Sequence, residues 1–182
     1  MSENKAASRY AKSLIDLSSE RNALEETKND MVLLEQVINQ NSELEAILKN
    51  PIVPLDKKAG ILENAFGNKV NEITRAFLKL VVSKGRSAIL FDTTKAFIEQ
   101  YNTLKGIVTA NVTSATELTA ESRAEIVAII KRESGAKEVV IKEKVNDKLI
   151  GGFILKVGDR QFDASIASSL NKLKKEFAQG IV

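Results

Sequence analysis

The 182-residue sequence contains neither histidine nor cysteine. Histidine-based triads, cysteine nucleophiles, zinc fingers and iron–sulfur clusters are thereby excluded. No disulfide can form, which is compatible with a reducing compartment. No apolar run is longer than Ile126–Ile130, whereas a membrane-spanning helix needs about 20 such residues. The opening stretch, MSENKAASRY, lacks the apolar segment of a secretory signal. Neither phosphate-cradling glycine pattern, G-x-x-x-x-G-K-S/T or G-x-G-x-x-G, occurs. Charge of one sign is also lacking. The net charge is +3, with 15 basic against 14 acidic residues up to Lys105 and 12 against 10 after it, so neither part carries a strongly basic surface. What is present, 43% hydrophobic and 28% charged residues, suits a soluble globular chain.

Glycine is scarce before residue 106, where only Gly60, Gly67 and Gly85 occur, and both prolines, Pro51 and Pro54, lie there. The remaining six glycines follow. That shift predicts two domains, 1–105 and 106–182. The first reads as helices. Ala7, Tyr10, Ala11, Leu14 and Leu17 recur with a helical period in helix one. Helix two runs from about Asn22 to Asn39 with Leu24, Met31, Leu34 and Ile38 on one side. Ser42-x-x-Glu45 predicts a capping box opening a third helix, which Asn50-Pro51 ends. A fourth carries Ala59, Leu62 and Phe66 and stops at Gly67, read as a left-handed C-terminal residue. Helix five, Val70 to Ser83, has the stripe Ile73, Phe77, Leu80 and Val81, with Leu78 and Val82 pointing elsewhere. Helix six follows Ser87 with Leu90, Phe91, Ile98 and Tyr101. The sum is a six-helix bundle.

The second part changes period. Val108, Ala110 and Val112 alternate with polar residues, as in a strand. Thr119 reads as the cap of a helix that buries Val127 and Ile130 and ends near Gly135. Val139 to Val145 alternates again. Leu149–Val157 is read as a third strand, its Gly151-Gly152 pair as a bulge. Gly158-Asp159 is a turn before a short strand at Gln161–Asp163. A last helix carries Ile166, Leu170, Leu173 and Phe177 at spacings of four, three and four. The order β-α-β-β-β-α predicts a small α/β domain with a largely hairpin-connected sheet, and the whole chain is of the α+β class.

No residue pattern is catalytic, metal-binding or cofactor-binding. Asp159, Arg160 and Asp163, and Asp92 near Glu99, are turn residues or solvated faces, with too few converging oxygens for a metal. Helices one and five are the stronger signal. Each is apolar over more than the single stripe that a bundle helix needs. Side by side they would leave a groove for an amphipathic helix. The competing class is a small nucleic-acid-binding adaptor, allowed by the mixed sheet. It is disfavoured by the missing GXXG loop and by Phe153 and Phe162 standing alone on their strands.

The ordered pieces resemble a known family. They are Arg9-Tyr10-Ala11 with Leu14, Leu48-Lys49-Asn50-Pro51 with Lys58, and Phe77-Leu78-Lys79-Leu80 with Lys84-Gly85-Arg86. Ala110–Ala115 with Leu118, Leu149-Ile150-Gly151-Gly152, Lys156-Val157-Gly158-Asp159, and Asp163-Ala164-Ser165-Ile166 with Leu170 complete the series. Over about residues 5–177 the chain is similar to the δ subunits of bacterial ATP synthase, counterparts of the mitochondrial oligomycin-sensitivity-conferring protein. The resemblance implies a non-catalytic stator subunit without cofactor. Its helical domain would bind the N-terminal helix of an α subunit at the catalytic head. Its C-terminal domain would bind the C-terminal ends of the b subunits. It would lie at the cytoplasmic face of the bacterial inner membrane, meeting the membrane only through the complex, with no nucleic-acid partner. On the groove for the α-subunit helix the resemblance places Tyr10, Ala11 and Leu14 of helix one and Leu78, Val81 and Val82 of helix five. It also makes Gly151, Gly152, Asp163 and Ser165 structural positions, with Asp163 or Ser165 capping the last helix.

Overall fold

The apolar periods of the first hundred residues close into helices. A computed structural model describes residues 2–147, 149–158 and 160–178. Asp159, expected in a turn and in an acidic cluster, lies outside the described residues. The chain divides into two compact units, Met1–Asn102 and Thr103–Val182.

The first unit comprises α1 (Ser2–Glu20), α2 (Leu24–Gln40), α3 (Ser42–Lys49), α4 (Leu55–Phe66) and α5 (Glu72–Ser83), then a 3₁₀ turn (Ser87–Ile89) and α6 (Leu90–Lys105), whose last turn passes into the second unit. Its interior is built from one face of each helix. Ala11 and Leu14 of α1, Met31, Leu34 and Ile38 of α2, Phe66 of α4 and Phe97 of α6 are all buried. Two helix ends differ from the sequence reading. α3 is capped by Asn41, whose side chain accepts from the Leu44 N–H at 3.2 Å. Ser42 is already helical, and Glu45 pairs forward with Lys49 at 2.7 Å instead of reaching back. Asparagine is as good a cap as serine, so the residue one place earlier takes the role. Gly67 is right-handed, with φ −50° and ψ −35°. Glycine is needed there for space, because a Cβ would lie 2.5 Å from the Glu63 carbonyl oxygen.

Two buried polar ties fix the helices. The Lys58 ammonium, with 4% of the residue exposed, donates to the Leu48 carbonyl and the Ser87 hydroxyl, each at 2.9 Å. Ser87 donates in turn to the same carbonyl at 2.8 Å. The end of α3, the start of α4 and the 3₁₀ turn are thus joined at one point. At the other tie Asn71 caps α5 by accepting from the Thr74 N–H at 2.8 Å. The Asn71 backbone N–H donates to the Asp30 carboxylate at 2.9 Å, and its side chain donates to Thr27 at 3.2 Å. Both partners sit on α2, so the start of α5 is held against that helix.

The second unit continues with β1 (Ile107–Ser114), α7 (Ala120–Ser134), β2 (Glu138–Val145), β3 (Phe153–Val157), β4 (Arg160–Asp163) and α8 (Ile166–Ala178). The sheet order is β2-β1-β3-β4. β1 and β2 are parallel, joined through α7, and the β1–β3 and β3–β4 pairs are antiparallel. Among the described residues only β3–β4 is a hairpin, so the expected hairpin-connected sheet is corrected to a β-α-β crossover with a hairpin added. The register sets Ala110 opposite Ile141 and Val157, and Val112 opposite Leu155. Opposed residues share a face, and α7 covers that face with Ile126 and Ile130. Val127, expected in this core, is half-buried, and Ile126 takes its place. Leu149–Gly152 precedes β3 and is not part of it, so the glycine pair is no bulge.

Candidate functional site

α1 and α5 each carry two apolar faces. The inner face of α1 is Ala7, Ala11, Leu14 and Ile15, and that of α5 is Phe77, Leu78, Val81 and Val82 with Thr74, all buried. The outer face of α1 runs through Tyr10, Leu14 and Leu17. The outer face of α5 runs through Ile73, Ala76, Phe77 and Leu80, at steps of three, one and three. These are helical spacings, so each set lies along one side of its helix. The two outer faces line one trough of about 500 Å³, with Ser13, Arg21 and Glu72 as its polar members. Leu17 and Leu80 are 42% and 48% exposed, although both are leucines.

The floor is set by aromatic packing. The Tyr10 and Phe77 rings meet edge to face, with centroids 6.3 Å apart and planes at 67°. The Arg86 guanidinium lies 5.9 Å from the Tyr10 ring centroid, within cation–π range. Leu14 and Phe77 belong to both faces, tying the trough floor to the bundle core. The start of α5 is held by Asn71, Asp30 and Thr27. The site's floor is therefore anchored before any ligand arrives.

The six residues expected on this groove separate. Tyr10 and Leu14 line it. Ala11 and Val81 are fully buried, and Leu78 and Val82 nearly so. Those four face the bundle interior, and Leu14, just as buried, also borders the trough. Leu78 and Val82 instead look toward Ala59 and Leu62 of α4. The stripe read for α5 divides: Phe77 and Val81 are buried in the core as read, Ile73 and Leu80 line the trough, and Leu78 and Val82 join the core. Spacing could not have separated them: Thr74, Leu78, Val81 and Val82 recur at i, i+4, i+7 and i+8, and so do Ile73, Phe77, Leu80 and Val81.

The second unit presents a different surface. Ile166, Leu170, Leu173 and Phe177, the apolar stripe of α8, are 46–72% exposed. Its first turn is capped as the sequence suggested, by Asp163 and Ser165 together. The Ser165 N–H donates to Asp163 at 2.9 Å, the Ser168 hydroxyl donates to Asp163 at 2.6 Å, and the Ser168 N–H donates to the Ser165 hydroxyl at 3.3 Å. Hydrogen bonds from Ser165, then from Ser168, hold the Asp163 carboxyl below the usual carboxylate range. Among the described residues no group of three or more acidic side chains could hold a metal. No helix among them is long and apolar enough to cross a membrane.

A family model described as ATP synthase delta (OSCP) subunit matches residues 6–177. An ATP synthase subunit delta from Cytophaga hutchinsonii is 42% identical over 182 residues, spanning 100% of this chain and 99% of its own. One from Flavobacterium psychrophilum is 37% identical over 178 residues, spanning 98% and 99%. A chloroplastic subunit delta from Ochrosphaera neapolitana is 34% identical over 173 residues, spanning 95% and 97%. In the cryo-EM structure of the Toxoplasma gondii mitochondrial ATP synthase hexamer, one chain superposes with a TM-score of 0.72 at 22% identity. That match covers 94% of this chain and 97% of that one, a likeness of fold.

Proposed function

The chain belongs to the ATP synthase delta (OSCP) subunit family, and from that premise we propose that it ties the catalytic head to the peripheral stalk through two separate surfaces. The family is that of a structural stator subunit of ATP synthase, not of the catalytic one. The first unit takes the N-terminal helix of an α subunit into the trough between α1 and α5. The second unit meets the C-terminal ends of the b subunits. Held at both ends, the subunit keeps the head from turning with the rotor, so that proton-driven rotation is spent on synthesis. It sits at the cytoplasmic face of the bacterial inner membrane and reaches the membrane only through the complex.

The observation that carries this reading is the apolar trough itself. Leucines at Leu17 and Leu80, an edge-to-face aromatic floor and polar residues at its margin are what an amphipathic helix seeks. A helix docked along it could bury about 1,600 Å² in total, the size of a standard specific interface. Calorimetric titration of the full chain with a peptide of the α-subunit N-terminal helix tests it. A one-to-one submicromolar complex is expected. Leu80→Asp should weaken it by about 2 kcal/mol or more, as at an interface hot spot, with an unchanged circular dichroism spectrum. Unchanged affinity in the folded variant, or no binding by the wild type, would remove the proposal.

A further inference from the structure

One end of the trough between α1 and α5 is marked by a fixed cation. Arg86 follows the end of α5, where the chain turns sharply. Gly85 takes the left-handed φ of +67°. Its N–H donates to the Val82 carbonyl at 2.8 Å, and the Arg86 N–H donates to the Val81 carbonyl at 3.0 Å. That pair of bonds is the helix ending that a left-handed glycine permits. The Arg86 carbonyl in turn accepts from the Ile89 N–H at 3.2 Å. The next residue, Ser87, is buried and belongs to the tie with Lys58 and Leu48. The 3₁₀ turn that it opens packs against α1 and α3. The Arg86 backbone is therefore pinned on both sides.

The side chain is held differently. Arg86 is exposed, yet its guanidinium lies 5.9 Å from the Tyr10 ring centroid, and Tyr10 lines the trough. Among the described residues no carboxylate pairs with it. The acid that lines the trough, Glu72, begins α5, whereas Arg86 follows its end. The helix between them is about 18 Å long at 1.5 Å per residue. An aromatic face attracts a guanidinium but does not fill its forked N–H donors. A pinned cation at the margin of an apolar surface, with those donors open, is complementary to a carboxylate.

We infer that Arg86 is a specificity-determining residue of the trough, pairing with a carboxylate on the docked helix where the apolar stripe of that helix ends. The inference rests on the reading that an α-subunit helix occupies the trough. Apolar contacts at Leu17 and Leu80 supply affinity but accept an amphipathic helix in either direction. A charge fixed at one end accepts only the direction that brings an acid to it. Tyr10 and the pinned backbone hold Arg86 before binding, so forming the pair adds little ordering cost.

The test titrates the full chain with the peptide of the α-subunit N-terminal helix, and with versions in which each Asp or Glu is changed singly to Asn or Gln. Arg86→Met should bind the parent peptide about tenfold more weakly at low salt, with an unchanged circular dichroism spectrum. Arg86→Lys keeps the charge and loses the fork, so its loss should be intermediate. Added salt should weaken the wild type more than Arg86→Met, narrowing the gap between them. One amide peptide should bind the wild type as weakly as the parent peptide binds Arg86→Met, and should lose nothing further to that variant. Arg86→Glu should bind more weakly still, and a peptide with Lys in place of that one acid should recover most of the loss. Salt dependence and charge exchange separate an ion pair from a mere brace for Tyr10, which would weaken binding at every salt concentration and couple to no acid. Unchanged affinity in Arg86→Met, or a loss that couples to no acid, would overturn the role of Arg86. With Leu80→Asp still weakened, the trough reading would stand. No binding of the parent peptide by the wild type would overturn both.

Discussion

The two units treat apolar residues in opposite ways. Among the described residues, 20 of the 25 buried hydrophobic side chains lie in the first unit and five in the second. Five side chains make a thin core for 80 residues, and small cores confer little stability. The first unit encloses most of its apolar side chains and leaves a trough on a floor shared with the core. The second leaves an entire helix stripe outside. A trough with an anchored floor accepts a ligand without reshaping. A bare, tethered helix gains its burial from a partner. The comparison teaches that two units of one chain can leave apolar surface open in different ways, an anchored trough in one and an incomplete core in the other.

The sharpest way to break that comparison is to charge the first unit's interior. Val81→Asp places a carboxylate at a position with no exposed surface. We expect a loss of about 4 kcal/mol or more, a large share of a domain's total stability. Denaturant unfolding followed by NMR should show the first unit's amides collapsing while the β1–β2 amides persist. Cooperative loss of both units would show that they are not separate in stability.

A matched pair sharpens the same point at smaller scale. Leu34→Ala, at a fully buried position on α2, should cost about 3 kcal/mol, from lost transfer energy and a cavity. Leu170→Ala, with the side chain 53% exposed on α8, should cost no more than about 0.5 kcal/mol in the free chain. Hydrogen exchange should likewise open α8 well before α2. Equal costs for the two leucines would mean that the α8 stripe is packed in solution.

These outcomes bear on what the residues disclosed by themselves. Helix number and order were legible because Met31, Leu34 and Ile38, or Leu44 and Leu48, recur at helical spacing, and tertiary packing kept that period. The alternation of Val108, Ala110 and Val112 likewise disclosed β1. Topology was less legible. The β1–β2 pairing is parallel through α7, and alternation alone does not reveal the neighbour or its direction. The groove was half legible. Excess apolar surface on α1 and α5 marked the right helices, but which stripe turns inward depends on where α2 and α4 sit. The Asp30–Asn71 and Lys58–Leu48 ties span 41 and 10 positions and leave no local periodicity. Gly151-Gly152 showed only that something approaches closely, and the approaching segment lies about a dozen residues downstream.

Lys58 gives the next smaller effect. Lys58→Met keeps most of the side chain's length and removes the donor that joins Leu48 and Ser87. The Leu48 carbonyl keeps the Ser87 hydroxyl, so the loss should be about 1–2 kcal/mol, that of a hydrogen bond to a charged group only partly replaced. A thermal melt of the first unit measures it. Lys58→Met together with Ser87→Ala should cost more than the sum of the two single changes, since the double variant leaves the buried carbonyl without either donor. Strict additivity would mean that the two side chains do not act as one tie.

The smallest expected effect lies at the base of α8. Hydrogen bonds from Ser165 and Ser168 hold the Asp163 carboxyl below its ordinary range. A carboxylate whose folded pKa is depressed contributes stability that is present above its unfolded pKa. That stability is lost as pH falls through the folded value. Wild type should therefore protect the first α8 amides better than Asp163→Ala at pH 7. The gap should hold down to about pH 4, the ordinary carboxylate range, and close below it as Asp163 takes up its proton. Because the group is solvent-exposed, the global melt should barely move, and amide exchange of residues 165–169 is the sensitive readout. A gap that stays constant from pH 7 down through pH 3 would show that the charge on Asp163 does not hold the cap, leaving the base of α8 to the glycine contacts and backbone bonds alone.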